Sequence, residues 1–98
     1  MTDAPYAPLR EVLNRALEQA AHGKGADRHA NGQPFTDQPI MVIARMSGLA
    51  FHIGQSMKKA QEASTMAGRG NPQNAVFELL GAINYLAAAV ILIEEGRS

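Results

Sequence analysis

The sequence predicts an all-α protein: a three-helix antiparallel bundle with a long first connector, assembled as a homo-oligomer. Three observations carry that expectation. Apolar residues recur at three- and four-residue steps in three long stretches, and period-two alternation is hard to find. Ala, Leu, Ile and Val dominate over five Phe and Tyr and no Trp, which favours helices over a β-sandwich. The last stretch is apolar on every face, more surface than two neighbouring helices cover, so a copy of the same helix in another subunit is expected against it. The 98 residues read as one helical domain, 1–98.

The first helix is expected over 8–21. Pro8 suits a first turn, where its missing N–H does no harm. Leu9, Val12, Leu13, Ala16, Leu17 and Ala20 make one apolar stripe, and Glu11 and Arg15 form an i,i+4 pair in the favourable order. Gly23 and Gly25 end it. Residues 22–37, HGKGADRHANGQPFTD, form a connector long enough to suggest function, with Phe35 as the anchor that pins it to the helices.

The middle helix is expected over 38–67, with Asp37 as N-cap and Pro39 in the first turn. Ile43, Met46, Ala50, Ile53, Met57, Ala60 and Ser64 trace a heptad-like seam through it. Gly48 and Gly54 lie off that seam and mark a close crossing, a kink or room for a ligand. Gly68, Gly70, Asn71 and Pro72 break the chain, and the last helix runs over 72–95 on the seam Val76, Leu79, Ile83, Leu86, Val90 and Ile93.

Composition excludes several chemistries. With no cysteine there is no thiolate nucleophile, disulfide or cysteine-held zinc. The N-terminus, Met1-Thr2-Asp3-Ala4-Pro5, has an acid where a secretory signal has bases. The longest apolar run, 79–93, includes Asn84 and falls short of the about 20 residues a membrane span needs. A cytoplasmic protein is therefore expected.

The formal net charge of zero hides a basic middle. Residues 22–61 hold five Lys or Arg and two Asp, a net +3, between ends that sum to −1 and −2. Two groups of residues give that charge a use. In the connector, Gly23, Lys24 and Gly25 with Arg28 and His29 place cations beside backbone that can approach an anion closely. The alternative is a helix cap followed by a solvated loop. On the middle helix, Gln38, Arg45, His52, Gln55 and Lys59 share a sector of about 100°, with Gly48 as a bare patch among them. The alternative there is the solvent face of an amphipathic helix. Yet no acid lies between Gln38 and Gln61, and Leu49 sits inside the stripe. Asn84 and Tyr85 read as an interhelical hydrogen bond in a buried helix, or as a ligand contact from a neighbouring subunit.

Other chemistries fit less well. His22, His29 and His52 with Asp27 or Asp37 lack metal-ligand spacing, and the local charge disfavours a cation, so no metal and no other cofactor are expected. Helical nucleotide pyrophosphohydrolases of the MazG and dUTPase type gather magnesium with ExxE and ExxD pairs, and no ExxE occurs here. A long nucleic acid is not expected of a chain with zero net charge.

The string GKGADRHANGQPFTDQPI, followed by Gly48, His52, Gly54, Gln55, Lys58, Lys59 and Glu62, resembles a family of small bacteriophage and prophage proteins with the pattern GKGxxRHA, PFxxQPI, GQxxKKxxE. The resemblance covers residues 23–62, and LLGAINYLAAA resembles the C-terminal part of such proteins. It implies phage origin, hence a host-cytoplasmic site of action. It also marks Lys24, Arg28, His29, Gln38, Gln55, Lys58 and Lys59 as candidate site residues. By analogy of size and charge with phage proteins that sequester cyclic nucleotide signals of host defence, the expected activity is non-enzymatic. It is sequestration of a phosphorylated small molecule, a cyclic oligonucleotide or a nucleotide-derived immune signal. Lys24, Arg28 and the backbone at Gly23–Gly25 would hold phosphate, Arg45, His52 and Lys59 would complete the site, and Phe35 or Tyr85 would stack on a base. Two alternatives stay open: a protein-interaction inhibitor of a host defence complex, as anti-CRISPR proteins are, and a small nucleotide hydrolase with His29 or His52 as base.

Overall fold

The structure is a computed structural model, and it describes residues 4–23 and 32–96. Four α-helices, not three, build the described part: α1 Ala7–His22, α2 Pro39–Ser47, α3 Leu49–Gly68 and α4 Pro72–Glu94. Single 3₁₀ turns at Ala4–Tyr6 and Phe35–Asp37 lead into α1 and α2, and no strand occurs among the described residues.

The middle helix expected over 38–67 is broken at Gly48. Its φ of 89° and ψ of 179° fall where a side chain is strongly disfavoured, so the break sits on a glycine. The Gly48 N–H still donates to the Ala44 carbonyl at 2.7 Å, which closes α2 before the chain turns. His52 then donates from Nε2 to the carbonyl of Ile40 at 2.8 Å. In one straight helix those residues would stand about 18 Å apart along the axis, so the bond requires the bend. Gly54, the other candidate kink, lies inside α3 in open space and bends nothing.

The caps also shift. Gln38, not Asp37, precedes α2; Asp37 belongs to the 3₁₀ turn, and neither Gln38 nor Asn71 caps its helix through a side chain. The end of α3 follows the sequence signal closely. Gly70, at φ 75°, lets its own N–H reach Ala67 O and that of Asn71 reach Met66 O, the paired bonds of a Schellman motif. Pro72 then opens α4.

Helix α4 touches all three others. With α3 it forms an antiparallel hairpin, joined by Lys59 to Glu78, by Ser56 near Ala82 and by Phe51 against Tyr85. It runs antiparallel to α1, with Asn84 Nδ2 donating to Ala16 O at 3.0 Å and Gln19 Nε2 to Phe77 O at 3.1 Å. Towards its C-terminus α4 meets α2. Met41, Ala44, Ala88 and Leu92 form a wholly buried cluster there, flanked by Phe35, Ile40, Leu49, Phe51 and Ile91. Phe35 thus anchors the end of the connector as expected.

The apolar seams do not face this core. Val76, Leu79, Leu86, Val90 and Ile93 are exposed, as are Ile53 and Met57 on α3 and Leu9, Leu13 and Leu17 on α1. The residues α4 buries are mostly small: Ala75, Ala82, Ala88 and Ala89, with Leu80 and Leu92. Close helix packing takes the alanines inward and leaves the branched residues outside. Among the described residues α4 is also the one helix long and apolar enough to cross a membrane by length and composition, with 33 % of its apolar window buried. The contiguous run counted in the sequence understated it, because that run stops at Glu78 and Glu94 whereas the apolar helix extends past Glu78 to Pro72.

Candidate functional site

A cleft of about 420 Å³ opens where α1, α3, α4 and the start of α2 meet. Four aromatic rings (Phe35, Phe51, Phe77 and Tyr85) line it together with Lys59 and the amides Gln19, Gln38 and Asn84. Its size and its mix of apolar wall with few polar groups suit a small-molecule site. A wider groove of about 730 Å³ lies beside it between α1 and α4. Leu13, Leu17, Ile83 and Ile91 line that groove, and it shares Ala20, Phe35, Gln38 and Asn84 with the first cleft.

Each polar group of the cleft is positioned by the fold. Gln38 Nε2 donates to Gln33 O at 2.9 Å and steadies the turn that carries Phe35. Gln19 and Asn84 tie α1 to α4 through the bonds described above. The Lys59 ammonium lies 3.3 Å from Glu78 Oε2 and 5.8 Å from the centre of the Tyr85 ring, so carboxylate and π-face both hold it. Tyr85 in turn meets Phe51 edge-on at 5.9 Å.

Of the expected site residues, Phe35, Gln38 and Lys59 line the cleft, while Arg45, His52 and Gln55 do not. The Gly48 break puts Arg45 and Lys59 on different helices, so their shared helical sector does not become a shared site. Arg45 instead makes a bidentate pair with Glu95, Nε to Oε1 at 3.0 Å and Nη2 to Oε2 at 2.8 Å, which clasps α2 to the end of α4. The Glu95 hydrogen bond, its charge and the more distant Asp37 raise the guanidinium pKa against the lowering effect of desolvation. His52 is wholly buried beside Phe51 and Tyr85. Because a carbonyl only accepts, its Nε2 carries the proton, which leaves Nδ1 as an acceptor with no partner among the described residues. With no exposure, the ring does not line the cleft, contrary to the expectation that placed it against a ligand. Gly23 caps α1, its N–H donating to Gln19 O at 2.9 Å. Lys24, Gly25, Arg28 and His29 lie outside the described residues.

Among the described residues no group of three or more His, Asp or Glu is placed to hold a metal ion. The site also uses residues the sequence reading passed over: Gln19, Phe51, Phe77, Glu78 and Gly81. Phe77 and Gly81 had a legible signal, since they lie about two turns and one turn before the Asn84–Tyr85 pair along one flank of α4. Glu78 had none, because its partner lies on another helix.

Compared with known proteins, the chain matches no family model, and no curated protein and no solved structure is significantly similar to it.

Proposed function

We propose that this chain is a phage-encoded, non-enzymatic binding protein that sequesters a phosphorylated small molecule, a cyclic oligonucleotide or related nucleotide signal, in the aromatic cleft around Lys59. The observation that supports this reading is one ammonium set into a wall of aromatic rings in a cleft of about 420 Å³. A nucleotide combines the two matching features, an anionic phosphate and a flat base. Lys59 meets the phosphate, Tyr85 or Phe35 stacks on the base, and the amides of Gln19, Gln38 and Asn84 border its polar edge. Ala21 and Gly32, on either side of residues 24–31, line the groove next to the cleft; Lys24, Arg28 and His29 themselves lie outside the described residues.

The proposal includes self-association through α4. Its seam places Val76, Ile83 and Val90 at one core position of a heptad and Leu79, Leu86 and Ile93 at the other, all exposed except the half-buried Ile83. Branched residues alternating with mainly leucine in this way favour a two-stranded pairing. No charged residue interrupts α4 between Glu78 and Glu94, so a second copy meets no repulsion along that seam.

A thermal-shift panel of cyclic di- and trinucleotides tests the binding role. At least one should raise the Tm of the wild type and leave Lys59→Met unmoved; a panel with no shift refutes the reading. Light scattering in detergent-free buffer tests the assembly. A homo-oligomer supports it, whereas a monomer that floats with liposomes makes α4 a membrane element instead. A stoichiometric host protein captured without nucleotide would favour the interaction-inhibitor alternative.

A further inference from the structure

We propose that Glu78 is a resident counter-ion for Lys59, one that keeps the ammonium in the cleft until the anionic group of a ligand displaces it. The inference rests on the reading of the cleft as a site for an anionic molecule, and it adds a built-in competitor to that site.

The geometry separates the two charges. Lys59 lines the cleft and Glu78 does not, so the cation forms part of the wall while its carboxylate sits behind it. Their separation of 3.3 Å exceeds the about 2.7–2.9 Å of a well-made charge-assisted hydrogen bond. An ammonium has three N–H donors, and Glu78 engages it through a single oxygen. The side chains are 23 % and 18 % exposed, so water reaches both and the carboxylate has somewhere to go when released.

Two other features hold Lys59 in place without the carboxylate. The Tyr85 ring lies under the charge. Gly81 lets the stem lie flat on α4: a Cβ there would stand 3.2 Å from Lys59 Cδ and 3.3 Å from Cε and Nζ. A glycine inside a helix is less favourable than alanine, and here the methyl it lacks would crowd the lysine stem. Lys59 therefore stays aimed into the cleft when Glu78 lets go. A phosphate arriving there gains the ammonium but meets the negative charge behind it. Neutralising that charge while keeping an acceptor strengthens anion binding and leaves uncharged ligands alone.

Calorimetric titration with cyclic di-AMP, and with adenosine as an uncharged probe carrying the same base, tests this. Glu78→Gln should tighten cyclic di-AMP about 1.5- to fivefold, the weight of one partly exposed charge contact, and leave adenosine unchanged. The gain should vanish when Glu78→Gln is combined with Lys59→Met. Gly81→Ala should weaken cyclic di-AMP binding in the wild type and have no further effect once Lys59 is methionine. If the wild type binds and Glu78→Gln binds equally or more weakly, the counter-ion role is overturned while the binding site stands. If neither protein binds cyclic di-AMP or any other cyclic nucleotide of the thermal-shift panel, the anion reading of the cleft fails and this inference with it.

Discussion

Replacing Gly48 with alanine separates the bent arrangement of α2 and α3 from the single helix that the sequence pattern suggests, because the two predict opposite signs. At φ 89° and ψ 179° a Cβ is strongly disfavoured, and holding alanine there costs about 1–3 kcal/mol. The strain has one relief, straightening into a continuous helix. That would break the 2.8 Å bond from His52 to Ile40 and draw Met41 and Ala44 away from Ala88 and Leu92, so it is not a cheaper route. For a domain of this size each kcal/mol lowers the Tm by about 4–8 °C, so Gly48→Ala should melt roughly 4–24 °C below the wild type. Urea unfolding followed by far-UV circular dichroism reads the same loss as a lower midpoint at unchanged slope. In a continuous helix the substitution would remove an unfavourable interior glycine and stabilise the protein by up to about 1 kcal/mol. A variant as stable as the wild type, or more so, refutes the break.

Further outcomes follow from the same geometry. Met41→Ala and Leu92→Ala, both in the wholly buried cluster, should each cost about 2–5 kcal/mol by chemical denaturation. Asn84→Ala removes the bond to Ala16 O, so amide exchange should quicken in α1, which buries only Ala16, far more than in the α3–α4 hairpin; the loss should be about 1 kcal/mol. Leu86→Glu with Val90→Glu, both on the exposed seam, should leave the fold intact by circular dichroism and convert the proposed oligomer to monomer by light scattering. A wild type that is itself monomeric refutes the self-association, and an oligomeric wild type whose mass the variant keeps refutes its placement on this seam.

Much of the fold was legible in the residues that punctuate it. Pro8, Gly23, the Gly70-Asn71-Pro72 break and Pro39 set helix ends close to where the structure has them. The Gly48 break was not, because the apolar spacing runs on from Ile43 and Met46 to Ala50 and Ile53 as though nothing intervened. A periodic pattern reports which residues share a helical face and is silent about a bend that keeps the same residue types on both sides. The α4 seam was legible as a seam but not in its orientation. In a helix apolar all round, Ala82, Ala88 and Ala89 compete with Leu79, Leu86 and Val90 for the interior, and close approach of α2 and α3 selects the smaller set.

The candidate site divides along the same line. Phe35 was read as the connector's anchor, and Gln38 and Lys59 came from the same helical sector as Arg45 and His52; these three line the cleft. Arg45 and His52 misled because a helical wheel assumes one straight axis. Their partners, Glu95 and Ile40, became reachable only through the bend and the tertiary fold. The pairing of Lys59 with Glu78 over Gly81 depends on the register of the α3–α4 hairpin, which no spacing within either helix encodes.

Two-dimensional NMR of isotope-labelled protein, titrated with cyclic di-AMP, addresses the cleft itself. The backbone amides of Lys59 and Gly81 and the ring resonances of Phe77 and Tyr85 should shift together and saturate, with Lys59→Met abolishing the response. Spectra that stay unchanged, or that change only along Leu79, Leu86 and Val90, would contradict a ligand held between the lysine and the rings.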